Sequence, residues 1–330
     1  MVTFVCIIKL TSPPGLCENA CTLGGVLFYR GYIMSENVFK TIDEQVSILI
    51  SRGLLFDNEE KDKKFLLHNN YYRISGYSLT LRDHDTFFKH TRFQNIIDIY
   101  NFDYELRHIL MKYLEIIEVK VKSTYAYYFS KIFGPDAYLN KSNFTDNEQY
   151  EKTISKINEQ KEARLPHEPY LKHFVNDLHI DVPIWTMVDL MTIADISHLY
   201  SISLLQLQES VAMEFGFNMS NKVNIFKKLL KGMTIIRNLC AHGSRLFNRL
   251  FEQRPSLSRT ERSLLITKTD KNGTQELDNS HLYGYIINMK RLLSASDFKS
   301  MKDEIQSLCS RISFVNMKYY GFRDDWESAL

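Results

Sequence analysis

The longest regular pattern in the chain runs over residues 96–130. Phe102, Leu106, Ile109, Leu110, Tyr113, Ile117, Val121, Tyr125 and Phe129 recur in steps of three and four and trace one face of a helix. A helix of ~33 residues reaches ~50 Å. Asp103 and Arg107, and Glu118 and Lys122, stand four residues apart on it, the spacing at which opposite charges support a helix. Gly134-Pro135 ends the segment. A second strong pattern runs from Asn221 to Arg249. Its apolar face is Val223, Phe226, Leu229, Leu230, Met233, Ile236 and Cys240, with Lys222, Lys227, Lys228 and Lys231 off that face. It stops at His242-Gly243, where a glycine just past the last periodic residue suits a helix C-cap.

Weaker patterns fill in the rest. Thr41 and Glu44 are spaced as a capping box, Val46, Leu49 and Ile50 follow, and Gly53 closes a helix. Asp57–Asp62 reads as a charged loop, Phe65–Tyr72 as a second short helix, and Gly76 as the following turn. Residues 140–170 are polar and closed by Pro166 and Pro169, which reads as a linker holding one short helix. Pro183–Tyr200 and Ser203–Phe215 read as helices, the first opened by a proline. Arg254–Arg262 reads as a basic loop. Thr267–Ser280, around Asn272-Gly273, predicts a turn or hairpin. Tyr283–Leu293 and Met301–Ile312 are two amphipathic helices. The pattern predicts a mainly α bundle: an N-terminal helical attachment at 38–95, a helical core at 96–250, and a C-terminal loop and helices at 251–330.

Composition supports this reading. Hydrophobic residues make up 44% of the chain, enough for a real core, and the 13 Gly and 7 Pro are few beside 19 Tyr and 21 Phe. Sparse breakers favour long helices over a turn-rich β protein. No apolar run reaches the ~18 residues that would span a bilayer, so no membrane partner is expected. Residues 1–37 stand apart as an expected tail. The apolar run Val2–Leu10 is broken by Ser12-Pro13-Pro14-Gly15 and lacks the basic start and cleavage site of a secretion signal. Translation starting at Met34 would remove most of this segment. Cys17 and Cys21 lack a second ligand pair at zinc spacing, so neither a metal nor a cofactor is expected. Cys240 and Cys309 fit helices as small buried hydrophobes, consistent with a reducing cytoplasm, so a cytoplasmic protein is expected.

Charge adds a candidate chemistry. The net charge is only +2, so nucleic-acid binding would have to come from a local patch. Residues 221–254 supply one: eight Lys/Arg against the single acid Glu252. An anionic partner would be drawn there. At the end of this helix Arg237 offers a planar fork that matches phosphate oxygens, and His242 offers an imidazole suited to proton transfer near neutrality. Five residues separate them by about 140° and about 7.5 Å on an ideal helix, so they straddle an edge. The Arg-x4-His spacing is loose, and by itself leaves His242 open as an ordinary capping residue and the lysines as a solvated face.

The stretch Arg237-Asn238-Leu239-Cys240-Ala241-His242, followed by Gly243-Ser244-Arg245-Leu246-Phe247-Asn248-Arg249, resembles the signature of abortive-infection proteins of AbiD/AbiF type, within the HEPN superfamily of helical RNases. Thr41-Ile42-Asp43-Glu44-Gln45 with Gly53-Leu54, Asn70-Tyr71-Tyr72-Arg73-Ile74-Ser75-Gly76-Tyr77, Phe102-Asp103 to Leu106-Arg107 with Ile117-Glu118, Pro183-Ile184-Trp185, and Gly321-Phe322 with Trp326 resemble further family blocks in the same order. The resemblance spans roughly residues 38–330.

It implies a HEPN-like helical fold and a metal-independent endoribonuclease of anti-phage defence. Arg237 and His242 would be catalytic, and Asn238 would orient His242 or the phosphate. Products would carry 2′,3′-cyclic phosphates. Arg237 alone among the arginines has a histidine four to six residues on, so a homodimer pairing two such motifs across a shared cleft is expected. A small non-coding RNA is the expected further partner. Arg245, Arg249, Lys227, Lys228, Lys231, Arg73 and Arg107 are the expected RNA contacts; Arg107 and Glu118 can either line a site against Arg237 or, with Asp103 and Lys122, belong to a solvated ion-pair face. Tyr71, Tyr72, Arg73 and Tyr77 are candidates either for stacking on bases or for packing one helix on another. Two alternatives remain open: a non-catalytic protein that holds a structured RNA, and a pure protein-interaction component.

Overall fold

A capping side chain marks the start of half of the described α-helices. The structure, a computed structural model, describes residues 39–269 and 273–330, together with the backbone of an antiparallel strand pair, β1 (Thr22–Leu23) and β2 (Val26–Leu27). The expectations for the tail at 1–37, for Cys17 and Cys21, and for Asn272 lie outside the described residues. Helix α1 (Ile42–Ser51) opens on the expected capping box: the Thr41 amide donates to Glu44 Oε2 at 2.6 Å, and the Glu44 amide donates to Thr41 Oγ1 at 3.3 Å.

The charged stretch expected as a loop is instead the first turn of α2 (Glu59–Asn69). Asn58 caps the Lys61 amide at 3.1 Å, and Glu59, Glu60 and Asp62 sit at the end of the helix where its dipole favours acids. Asn70, at φ +63, breaks the chain between α2 and the short α3 (Tyr71–Ser75), so the helix expected over Phe65–Tyr72 is two pieces. A small hairpin, β3 (Arg82–Asp83) and β4 (Thr86–Phe87), leads into the long helix.

That helix, α4 (Phe93–Phe133), is 41 residues long, and the predicted face is buried along it except for the partly buried Ile109. Residues 140–170 are not a linker. They carry α5 (Asn147–Arg164), capped by Asp146 and laid against a later helix through Tyr150, Thr153 and Ile157. Three buried positions in 18 residues are too few to show as an apolar stripe. After α6 (Pro169–Lys172), the helix expected at Pro183–Tyr200 divides into α7 (Ile184–Met187) and α8 (Ile193–Ile202). Thr192 and Asp195 form a capping box that starts a new helix there. Helices α9 (Leu205–Glu214) and α10 (Lys222–Ala241) follow.

The C-terminal part holds α11 (Arg259–Arg262), the expected hairpin as β5 (Thr267–Thr269) and β6 (Gln275–Leu277), α12 (Tyr283–Lys290), α13 (Ala295–Arg311) and α14 (Trp326–Ala329). Helix α13 begins six residues before the expected Met301 because Ser294 caps the Asp297 amide. The protein is mainly α. Helix α4 is the axis: α7, α8, α9, α10 and α13 all pack on it, and α10 also packs on α8, α9 and α12. Buried side chains from Val46 to Trp326 form one continuous cluster. Burial pushes the Cys240 thiol up to about 12 and that of Cys309 to about 11, as expected of packed, unreactive cysteines. Among the described residues no helix is long and apolar enough to cross a membrane.

Candidate functional site

Helix α10 turns its apolar face, Phe226, Leu229, Leu230, Met233, Ile236 and Cys240, into the core. What remains is a polar outer face that ends at His242. The helix closes as its sequence predicts: His242 is the C-cap, its amide bonded to Asn238 O at 3.0 Å, and Gly243 takes the left-handed φ of +61. The chain then turns back over α4 through residues 244–247.

Asp103 pins that return. It is fully buried, and its carboxylate accepts from the Phe247 amide at 2.8 Å, the Leu246 amide at 3.2 Å, Tyr77 Oη at 2.8 Å, Tyr320 Oη at 3.0 Å, and the guanidinium of Arg107. One acid therefore ties α4, the tyrosine-rich segment, the loop after α10 and the C-terminal segment together. Burial raises the Asp103 carboxyl, while Arg107 and the four other donors favour its charged form. Burial, and then the Asp103 carboxylate beside them, push the Tyr77 and Tyr320 hydroxyls upward, against the pull of Arg107.

A second set of contacts seats Asn70–Tyr77 on the same loop. Arg73 donates to Gly243 O and lies over the Tyr100 ring, 5.7 Å from its centroid. Gly76 leaves room for Arg245: a Cβ there would stand 3.2 Å from Arg245 Nε. Two of the sequence blocks that carry the family resemblance, 70–77 and 237–249, thus meet in space.

Arg237 and His242 sit on opposite margins of the end of α10. Arg237 is half-buried and faces α4, where its Nε lies 3.3 Å from Glu118 Oε2; Glu118 also takes Lys122 Nζ at 2.9 Å. The pairing of Glu118 with Arg237 agrees with the expected juxtaposition. Asn238 and His242 are exposed. On helical geometry Lys228, Lys231, Asn238 and His242 fall within an arc of about 80°, whereas Arg237 is turned about 140° from His242. The outer face is therefore a cationic strip ending in an imidazole, with the guanidinium held at its inner edge.

The other expected contacts divide. Lys228 and Lys231 are exposed. Lys227 is partly covered, and burial lowers its ammonium. Arg245 and Arg249 are half-buried and engage main-chain oxygens, Arg245 that of Phe247 and Arg249 that of Arg245 at 3.3 Å. Burial, and then the neighbouring Arg245, lower the Arg249 guanidinium. Arg73 is exposed apart from its bond to Gly243.

Arg107 differs from its expected place among the RNA contacts. It is 2% exposed and bound to Asp103, Tyr77 and Ser244 O, so no phosphate reaches it in this conformation. The solvated pair suggested by the Asp103–Arg107 spacing is a buried one. Of the tyrosines, Tyr77 packs inside, Tyr71 is partly buried, and Tyr72 stands 75% exposed. Sequence reasoning missed Asp103 and Tyr320 as the anchors of the loop; an acid adjacent to Phe102, on the apolar face of the longest helix, was the available signal.

Chemically, the arrangement offers an accessible imidazole, an amide side chain four residues before it, a guanidinium one turn inside, and cations to either side. These are groups able to move a proton and to hold a polyanion. No curated protein and no solved structure gives a significant match to the chain. A family model described as Abi-like protein matches residues 64–248, more than half of the chain. That span begins within α2 and closes one residue before Arg249, so it holds both 70–77 and the end of α10. The chain belongs to the Abi-like proteins, a family of abortive-infection defence.

Proposed function

We propose that the protein is a metal-independent HEPN-type endoribonuclease, working as a homodimer in which two copies of the α10 terminus face one RNA strand. RNA brings its own nucleophile, the 2′-hydroxyl. Cleavage then needs a group to take that proton, one to protonate the leaving 5′-oxygen, and cations for the charged phosphorane. His242 of each copy would serve proton transfer. Arg237 of each would hold the phosphorane, with Asn238 placing the phosphate or the ring. The products would be a 2′,3′-cyclic phosphate and a free 5′-hydroxyl. A structured non-coding RNA would lie on the lysine strip and restrain the enzyme.

The observation that carries this reading is the exposed His242 at the C-cap of α10, with Arg237 paired to Glu118 near the same end. Within one chain these two groups sit on opposite margins of the helix, an arrangement that supports completion of the site by a second copy. The same observation supports a second reading. A cationic strip whose arginine is already paired with Glu118 suits a protein that holds RNA without cutting it. Sequencing RNA that co-purifies from cells, together with the chemistry of its ends, separates the two. Cyclic phosphate ends that disappear with His242→Ala support the nuclease. Bound, uncut RNA lost on Lys228→Ala/Lys231→Ala supports the holder.

A further inference from the structure

A cavity of about 660 Å3 opens between α4 and the segment that carries α7. From α4 come Ser123, Ala126, Tyr127, Ser130 and Lys131, spaced i, i+3, i+4, i+7 and i+8, so they share one face. From the other side come Trp185, Val188 and Asp189. Ser123 is turned about 140° round α4 from Glu118, so this face is not the one that meets Arg237.

Four features of the cavity call for a ligand. Tyr127 and Trp185 are 60% and 53% exposed, large apolar rings left open at its walls. Ser130 Oγ is buried yet has no hydrogen-bond partner among the described residues. Lys131 Nζ lies 5.9 and 5.8 Å from the Tyr127 and Tyr128 ring centroids and is paired with no carboxylate among the described residues. Asp189 is exposed and pairs with no cation there.

These features select among ligand classes. An apolar ligand would cover Ser130 and Asp189 without satisfying them, at a cost. A simple anion makes no use of two rings and is opposed by Asp189. An organic cation suits rings and a carboxylate but is opposed by Lys131. A nucleotide matches all four: a planar base for the rings, polar base edges for Ser130, a phosphate for Lys131, and N–H or ribose hydroxyl donors for Asp189. We propose that the cleft lined by Tyr127, Ser130, Lys131, Trp185 and Asp189 is a binding site for one nucleotide unit, either a free nucleoside monophosphate or an unstacked base of an RNA strand. It stands independently of the cleavage chemistry at Arg237 and His242.

Trp185 supplies the readout, because Trp185 and Trp326 are the two tryptophans and Trp326 is 4% exposed. The full chain is titrated with adenosine, with AMP, GMP, CMP and UMP, and with an unstructured oligoribonucleotide, following tryptophan emission. The expected result is saturable quenching that Trp185→Phe removes and Tyr127→Ala weakens at least about tenfold. AMP binds more tightly than adenosine to the natural chain and equally to Lys131→Ala. All three altered side chains are solvent-facing, and circular dichroism confirms that each variant is folded. Saturation by a mononucleotide assigns the free ligand. Saturation by the oligonucleotide alone assigns a strand base. No saturable quenching by either probe, or quenching unchanged in both Tyr127→Ala and Lys131→Ala, overturns the site.

Discussion

Glu118 Oε2 on α4 lies 3.3 Å from Nε of Arg237 on α10, and the other Glu118 oxygen holds Lys122. The Arg237 Nε–H lacks an aligned hydrogen-bond acceptor among the described residues, so the contact is an ion pair that restrains the guanidinium without fixing its fork. That leaves the two terminal nitrogens for a phosphate. Glu118→Gln keeps the shape and removes the charge, leaving two partly covered cations without their acid. We expect a loss of about 1–2 kcal/mol in stability by urea denaturation. RNA cleavage should fall about tenfold to a hundredfold through misplacement of Arg237. A cleavage rate equal to that of the unaltered chain would show that Glu118 does not position Arg237.

Asp103 is the more severe position. Replacing it with Asn puts an NH2 group where two amides, two phenols and a guanidinium all donate. It also leaves Arg107 buried without a counter-charge, which costs about 3–5 kcal/mol. Denaturation of Asp103→Asn measures this. A loss below about 1 kcal/mol would mean that the loop after α10 is held by something else.

The strip on α10 predicts a salt effect. Lys228→Ala/Lys231→Ala should flatten the dependence of log affinity on log salt for single-stranded RNA by about 0.7 per lysine that meets a phosphate. Lys112→Ala is the control, because Lys112 pairs with Glu304 at 2.6 Å on a different face. An unchanged slope in the double variant would place RNA elsewhere.

Acid stability has a specific contributor in Asp195. Burial pushes its carboxyl up, but Lys156 Nζ at 2.6 Å and the Thr192 amide and hydroxyl outweigh burial and hold it below its ordinary value of 3.8. A depressed folded value stabilises the protein above the unfolded value. That contribution is lost as pH falls through 3.8 and below. Thermal melts from pH 6 downward should therefore show an acid limb that Asp195→Asn flattens, the variant being less stable at pH 6 but losing less on acidification. Parallel limbs in the two proteins would contradict this.

What the sequence made legible follows from how strongly each element states itself. The faces of α4 and α10 carry an apolar residue every three or four positions over many turns, and Gly243 marks where the second stops, so both helices were readable with their ends. Helix α5 was not, because only Tyr150, Thr153 and Ile157 are buried, Ile154 is partly so, and most of its other residues are solvated. The break at Thr192 was hidden because Ile184, Met187, Val188 and Met191 hold helical spacing right up to it; only the Thr192–Asp195 cap reveals a fresh start. At the site, Arg237, Asn238 and His242 were visible as a motif, and the Glu118 partner as a spacing. Asp103 and Arg107 looked like a surface pair. Their burial depends on Tyr77, Tyr320 and the 244–247 loop arriving from distant parts of the chain, which no local pattern encodes.

The central claim concerns the end of α10. The most direct measurement is incubation of the purified full chain with a defined RNA in the presence of a metal chelator, with the product ends determined. The account predicts 2′,3′-cyclic phosphate and 5′-hydroxyl ends from the unaltered chain, and none from His242→Ala or Arg237→Ala, both of which remain folded and still bind the RNA. Cleavage that persists in His242→Ala, or RNA bound tightly by the unaltered chain and left intact, would contradict it.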